Sequence, residues 1–194
     1  MTEIIEIKRK EFSVLEKMGE HSFKVERKGN IYFLKKYENK NELNDFIEKQ
    51  RRLKITAIDI PKVILFDKDK LISVVEFIEG DNIFDLLVKE DITDEEIYKR
   101  IFLDEWYARR EKLHIDLKPE NFIYTGKKLV YLPYEYSKYD PNYNFMNTDL
   151  RLWFPTKELS KYVKSKGLQF DDKRVGNEYA TNKQMALMTV KYYI

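Results

Sequence analysis

From residue 12 to residue 37 short apolar stretches are separated by polar and glycine-containing turns, the pattern of strands joined by tight turns. Phe12-Ser13-Val14-Leu15, Phe23 to Arg27 and Ile31 to Tyr37 read as three strands. They are joined by turns at Gly19 to Ser22 and at Lys28-Gly29-Asn30, where Gly-Asn between apolar runs signals a hairpin. From residue 40 the pattern changes. Leu43, Phe46, Ile47 and Leu53 form one stripe of a helix over 40–54, capped by Asn39 or Asn41. Ile60 to Phe66 is a fourth strand entered through Pro61, Asp67 to Lys70 a turn, and Leu71 to Ile78 a buried fifth strand ending in Glu79-Gly80.

Beyond residue 80 helical periods dominate. A short helix over 82–90 turns Ile83, Leu86 and Leu87 inward. Thr93, followed by an acidic first turn, opens a helix to about Lys112 with Ile97, Ile101, Trp106 and Ala108 in its stripe. Its last turn carries Arg109, Arg110 and Lys112, placed where the helix dipole favours cations. Phe122 to Tyr124 and Leu129 to Tyr134 flank a tight turn. Residues 136–155 are irregular, long enough to cover a site, with Phe145, Trp153 and Phe154 as core anchors. A helix over 156–166 starts at Thr156 and stops at Gly167. A last helix over 177–192 offers Tyr179, Met185, Leu187, Met188 and Tyr192 for burial. An α+β fold is expected.

Composition narrows the classes. With 194 residues the chain is one domain or two small lobes. Hydrophobic residues make up 43% and charged residues 36%, which suits a folded, well-solvated protein rather than a disordered one. The 36 basic and 34 acidic residues leave a net charge of +2 and no electrostatic signal for nucleic acid or an anionic membrane. Cysteine is absent, which excludes disulfides and thiolate metal sites, and two histidines argue against a His-rich zinc site. Residues 1–10 lack the apolar core of a signal peptide, and no run reaches eighteen apolar residues. A cytoplasmic location is expected.

The densest chemistry lies at His114-Ile115-Asp116-Leu117-Lys118-Pro119-Glu120-Asn121, set between Leu113 and Phe122-Ile123-Tyr124. This stretch resembles the catalytic loop of protein kinases, H-x-D-L-K-P-E-N, with Ile115 at the usual Arg. The resemblance implies a two-lobed fold. A β-rich N-lobe with one helix would span about 1–78, a hinge about 76–82, and a short, mainly α C-lobe about 82–194, as one kinase-like domain over 1–194. It implies that Asp116 accepts the hydroxyl proton of the acceptor, that Lys118 sits beside the transferred phosphoryl group, and that Asn121 offers its amide oxygen to a metal ion.

The same resemblance assigns the nucleotide side. The turn at Gly19 and Ser22 corresponds to the loop over the phosphates, here with one glycine rather than three; an ordinary hairpin turn explains these residues equally well. Lys35, with Lys36 in reserve, would hold the α- and β-phosphates. Glu48 or Glu42 would pair with that lysine; the two lie six apart and do not share a helix face. Backbone groups near Glu76 and Ile78 would bond the adenine edge, Val75 would line the pocket, and Asp81 or Asn82 would reach a ribose hydroxyl. The triplet aligned with the metal-binding D-F-G is Pro133-Tyr134-Glu135. Its Asp is absent, leaving Glu135 as the substitute metal ligand and Asp140 and Asp149 as less constrained alternatives.

The compact pattern resembles small kinases such as that of the tRNA-modifying KEOPS complex, without the A-P-E segment of full-length protein kinases. Ile115 removes the Arg that reads activation-loop phosphorylation, so control by that route is not expected. Two functions follow. One is an ATP- and Mg2+-dependent phosphotransferase acting on a protein serine or threonine, since Lys118 favours a protein acceptor over a sugar or antibiotic. The other is a pseudokinase that binds nucleotide or a partner protein without turnover.

Overall fold

A computed structural model describes residues 3–90, 92 and 94–193. The chain divides into two compact units, Met1–Arg52 with Ile60–Ile78, and Leu53–Asp59 with Glu79–Ile194. Together they make an α+β protein with five α-helices among the described residues.

Alternating sequence builds the first unit. Strands β1 (Ile4–Ile7), β2 (Lys10–Gly19), β3 (Ser22–Arg27) and β4 (Asn30–Lys36) are followed by helix α1 (Lys40–Lys54), then β5 (Val63–Asp67) and β6 (Ile72–Glu76). They form one antiparallel sheet in the order β1-β2-β3-β4-β6-β5. Ile5, Ile7, Phe12, Phe23, Val25, Leu34, Ile72 and Val74 bury one face as a single core cluster. Each such side chain contributes about 1.5–3 kcal/mol on leaving water.

Three features of this unit differ from expectation. Strand β1 had no sequence forecast: four residues are short, and its turn to β2 is Lys8-Arg9, both left-handed at φ 49° and 61°, rather than a glycine or asparagine pair. Strand β2 starts earlier and runs longer than residues 12–15. Register shifts between Val14 and Glu16 and between Lys17 and Gly19 break the alternation that would have marked its length. The next turn is Lys28-Gly29, at φ 54° and 77°, because Arg27 pairs with Asn30. Both left-handed positions of a two-residue hairpin turn therefore fall one residue before the Gly-Asn reading, and Gly29 fills one without strain. Helix α1 has the predicted bounds, with Asn39 as its cap: the Asn39 Oδ1 accepts from the amides of Asn41 and Glu42.

The second unit is layered from shorter pieces. Strand β7 (Asp81–Asn82) leads into helices α2 (Ile83–Lys89) and α3 (Glu95–Arg110). Then come β8 (Leu113–His114), β9 (Phe122–Tyr124), β10 (Leu129–Tyr131), β11 (Ser137–Lys138), helix α4 (Lys157–Ser165) and helix α5 (Glu178–Tyr192). Strands β10, β9 and β7 form one small sheet, and β8 pairs with β11. The core is aromatic. Trp153, Phe145 and Phe154 are fully buried, as predicted, with Phe102, Phe122 and Tyr131 beside them. The Phe122 and Trp153 rings lie 5.6 Å apart, and Tyr98 stacks on Phe154 at 4.8 Å.

Several inward assignments change here. In α2 the buried residues are Ile83, Phe84 and Leu87, with Leu86 only half-buried. In α3 Trp106 is half-buried under the Arg110 guanidinium, 4.9 Å from its ring. The predicted cap Thr93 lies outside the described residues; the Asp94 carboxylate accepts the Glu96 amide at 2.9 Å. In α5 Met185 is buried and Met188 and Tyr192 are half-buried, but Tyr179 and Leu187 are 76% and 59% exposed. Apolar residues are spread around this helix, and only Thr181 and Met185, one turn apart, reach the interior. Helix α4 begins at Thr156 as predicted, its hydroxyl accepting the Leu159 amide at 3.1 Å. Among the described residues no helix is long and apolar enough to cross a membrane.

Candidate active site

In the second unit, the segment after β8 is held from three directions. Ile115 and Leu117 are buried, which anchors the alternate positions and turns Asp116 and Lys118 outward. Pro119 to Asn121 then make one turn of 3-10 helix. The Asn121 amide nitrogen Nδ2 donates to the Asp116 carbonyl at 2.9 Å, closing the loop on itself. The indole Nε1 of Trp153 donates to the Leu117 carbonyl at 2.8 Å. Asn82 caps α2 with its Oδ1 and donates its Nδ2 to the Glu120 carbonyl at 3.0 Å.

This frame presents Lys118 Nζ 3.0 Å from Asp116 Oδ2. Burial pushes the Lys118 ammonium down, but its bond to Asp116 and the charges of Asp116, Asp149 and Glu120 outweigh this and hold it above its ordinary range. Asp149 is almost fully buried, and its carboxyl is raised by that burial and then by the charge of Asp116, with Lys118 and Thr148 pulling the other way. The Tyr162 hydroxyl donates to Glu120 Oε1, and Lys166 Nζ is 3.4 Å from the same oxygen. Burial, and then Glu120, raise Tyr162. The Tyr131 hydroxyl donates to the Glu135 carbonyl at 2.9 Å and receives the Asp116 backbone amide. Sequence reasoning brought Asp116, Lys118 and Asn121 together as the structure does. It missed Tyr131 and Tyr162, named Asp149 only as an alternative metal ligand, and did not assign Trp153 its bond. The available signal was the buried indole, whose N–H needs an acceptor.

The triplet Pro133-Tyr134-Glu135 lies beyond the end of β10 at Tyr131. Tyr134 is buried in the left-handed region at φ 56°, a conformation costing about 1–2 kcal/mol for a side chain of this kind. The strand alternation that would carry Glu135 to the face of residue 133 is therefore broken. Glu135 is exposed. Asp140 is also exposed, and its Oδ1 accepts the Asn142 amide. Among the described residues no three of His, Cys, Asp and Glu gather as a metal cage. Mg2+ needs fewer, since one or two carboxylates with substrate phosphates suffice. The donor chemistry fits a hard cation: the Asn121 Oδ1 remains an oxygen donor after its Nδ2 is used, and Asp149 and Glu135 are the carboxylates near the loop.

In the first unit the candidates align along one row of the sheet. Gly19 pairs with Ser22, Ser22 with Lys35, and Lys35 with Ser73. Lys35 Nζ sits 5.2 Å from the Tyr37 ring. Tyr37 in turn bonds the Ser73 hydroxyl at 3.0 Å and packs on Phe46 of α1 at 5.7 Å. Burial raises the Tyr37 hydroxyl to about 12. Lys36 is on the other face, with Nζ 4.8 Å from the ring of the core residue Phe23. Lys35 is thus the lysine sharing a face with α1. Glu42 accepts from Asn39 Nδ2 at 2.8 Å as part of the helix start, and Glu48 is on the exposed side. Neither has an ion pair with Lys35 among the described residues.

The Gly19 turn is two residues long, Glu20-His21, and Gly19 is not left-handed; a methyl there meets only Ser22 at 3.7 Å. The Glu76 amide is used by the Lys62 carbonyl at 2.8 Å. Ile78, half-buried, lies past the end of β6. No protein-family model matches the chain, and no curated protein matches it.

Proposed function

We propose that the chain is an ATP-dependent phosphotransferase of the protein kinase-like superfamily, two-lobed, with a protein serine or threonine as acceptor. The observation that carries this is the Asp116–Lys118 pair at 3.0 Å on a loop closed by Asn121. A turn-forming role alone accounts for Pro119 and Asn121, but not for a lysine paired with Asp116 and within the field of Asp149 and Glu120. The order of elements supports it further: strands, one helix, two strands, a linker, two helices, the loop, then a hairpin.

In this scheme the acceptor hydroxyl oxygen bonds the γ-phosphorus as the bond to the β,γ-bridging oxygen breaks, releasing ADP. The hydroxyl proton passes to the Asp116 carboxylate. Lys118 balances charge on the transferred group, and Lys35 is assigned the α- and β-phosphates. Mg2+, when bound, supplies further charge neutralisation; Asn121, with Glu135 or Asp149, would hold it.

Pro133 supports a second reading, a nucleotide- or partner-binding pseudokinase, because proline offers no ligand oxygen. Loss of one preorganised electrostatic group costs on the order of 3–4 kcal/mol of barrier, enough to silence a slow enzyme. The test follows transfer of γ-phosphate from ATP to protein acceptors, with ATP- and Mg2+-dependent thermal melts alongside. A working enzyme transfers phosphate, and Asp116→Asn slows it about 10²–10⁴-fold while the ATP-induced rise in midpoint stays. If wild type melts higher with ATP yet transfers nothing, and Pro133→Asp gains transfer, the binding module is correct. Absence of both the ATP effect and transfer in wild type and Pro133→Asp rejects the family assignment.

A further inference from the structure

Behind the loop, on the side away from Asp116 and Lys118, lies a small cavity to which Glu105 of α3, Leu113, His114, Leu117, Tyr139 and Asn144 contribute. It has room for about one water. Glu105 is only 4% exposed. One of its oxygens, Oε1, lies 3.4 Å from Arg109 Nε; the other, Oε2, is buried without a hydrogen-bond partner. A carboxylate oxygen in that state costs several kcal/mol, so a partner is called for. The polar residues lining the same space are His114, Tyr139 and Asn144. The Asn144 side chain is already used, donating to the Pro141 carbonyl and accepting the Asn147 amide. That leaves Tyr139 and, at the start of the loop, His114 as the polar groups of the cavity wall.

We infer that Glu105 binds one buried water that bridges it to the 113–117 segment, making Glu105 a positioning residue for Asp116. The role assigned to Asp116 rests on the phosphotransferase proposal; the water site does not. Burial raises the Glu105 carboxyl against the pull of Arg109, which agrees with a carboxyl lacking a full complement of partners. The charged and titratable groups around this region are Arg109 on α3, Tyr139 and Tyr193, and the charge of His114 acts on Asp149.

The experiment uses the full chain. Water–proton NOE and ROE spectra, with amide hydrogen exchange, are recorded for wild type, Glu105→Gln and Glu105→Leu. A long-lived water is expected at residues 113–117 in wild type and in Glu105→Gln, which retains a hydrogen-bonding oxygen. In Glu105→Leu that signal disappears, and the amides of 113–117 exchange about tenfold faster, the loss of one net hydrogen bond, while those of α4 do not change. If Glu105→Leu does not fold, Glu105→Met provides the same comparison. The inference is overturned if wild type shows no bound water there, or if the water is lost and exchange at 113–117 does not change. Phosphate transfer, measured separately, falls in kcat and not in KM for ATP. A wild type that transfers nothing would count against the phosphotransferase and leave the water result standing.

Discussion

The two units carry candidate residues in opposite ways. In the first, Gly19, Ser22 and Lys35 are neighbours because backbone ladders place them in one row, and among the described residues the Lys35 side chain meets a ring face at 5.2 Å and no ion-pair partner. In the second, almost every group around Asp116 is fixed by a side-chain hydrogen bond from a different element: Trp153, Asn82, Tyr131 and Tyr162. A sheet row fixes spacing and leaves long side chains free. Hydrogen bonds to the loop backbone fix the points from which the Asp116 and Lys118 side chains project. The Asp116 loop is therefore tied to its surroundings more firmly than the Lys35 side chain is to its own.

That contrast is open to attack by substitution. Trp153→Ala should have the largest effect, about 3–5 kcal/mol in a denaturant titration, since it removes a fully buried ring and the donor to Leu117. A loss below about 1 kcal/mol would mean that the loop does not depend on the network. Gly80→Ala comes next. A methyl at Gly80 would stand 2.3 Å from the Tyr124 carbonyl oxygen, so the backbone must move, at about 1–3 kcal/mol by the same measurement.

Two buried carboxyls, one in each unit, shift in opposite directions. Asp67, in the first, accepts the amides of Lys70 and Asp69, and these bonds, Lys70 first, lower its carboxyl. Its contribution is present above the ordinary value of 3.8 and is lost as pH falls through the folded value. Asp104, in the second, is raised well above 3.8 by burial and then by Asp59. The native state there binds more protons than the unfolded chain, so stability declines as pH rises from 3.8 towards the folded value. Melting midpoints measured against pH should show a smaller acid-side fall in Asp67→Asn and a smaller decline above 3.8 in Asp104→Asn. The smallest effect is expected at Gly19→Ala, within about 0.5 kcal/mol, because the turn requires no left-handed residue there. A large loss of ATP-induced stabilisation in that variant would show that the turn meets phosphate.

What was legible in the sequence follows the same division. Apolar runs bounded by turn residues located β3 to β6, and α1 was bounded to the residue, because local sequence decides those elements. Strand β1 was hidden by a Lys-Arg turn, and the length of β2 by its bulges. In the second unit the loop was visible as a motif. Its supports were not, since Leu117 and Trp153 are 36 residues apart and Glu120 and Tyr162 are 42 apart, distances over which no periodicity speaks. Helix α5 misled because its apolar residues occupy all sides, and composition alone does not say which side faces inward.

The bond from Trp153 to Leu117 also sets an order of events during synthesis. A chain made from the N-terminus completes His114 to Asn121 well before Trp153 exists, at roughly 5–20 residues per second. For that interval the Leu117 carbonyl lacks the donor it has in the folded protein. The loop therefore cannot complete its folded hydrogen bonding until a further 36 residues have been added.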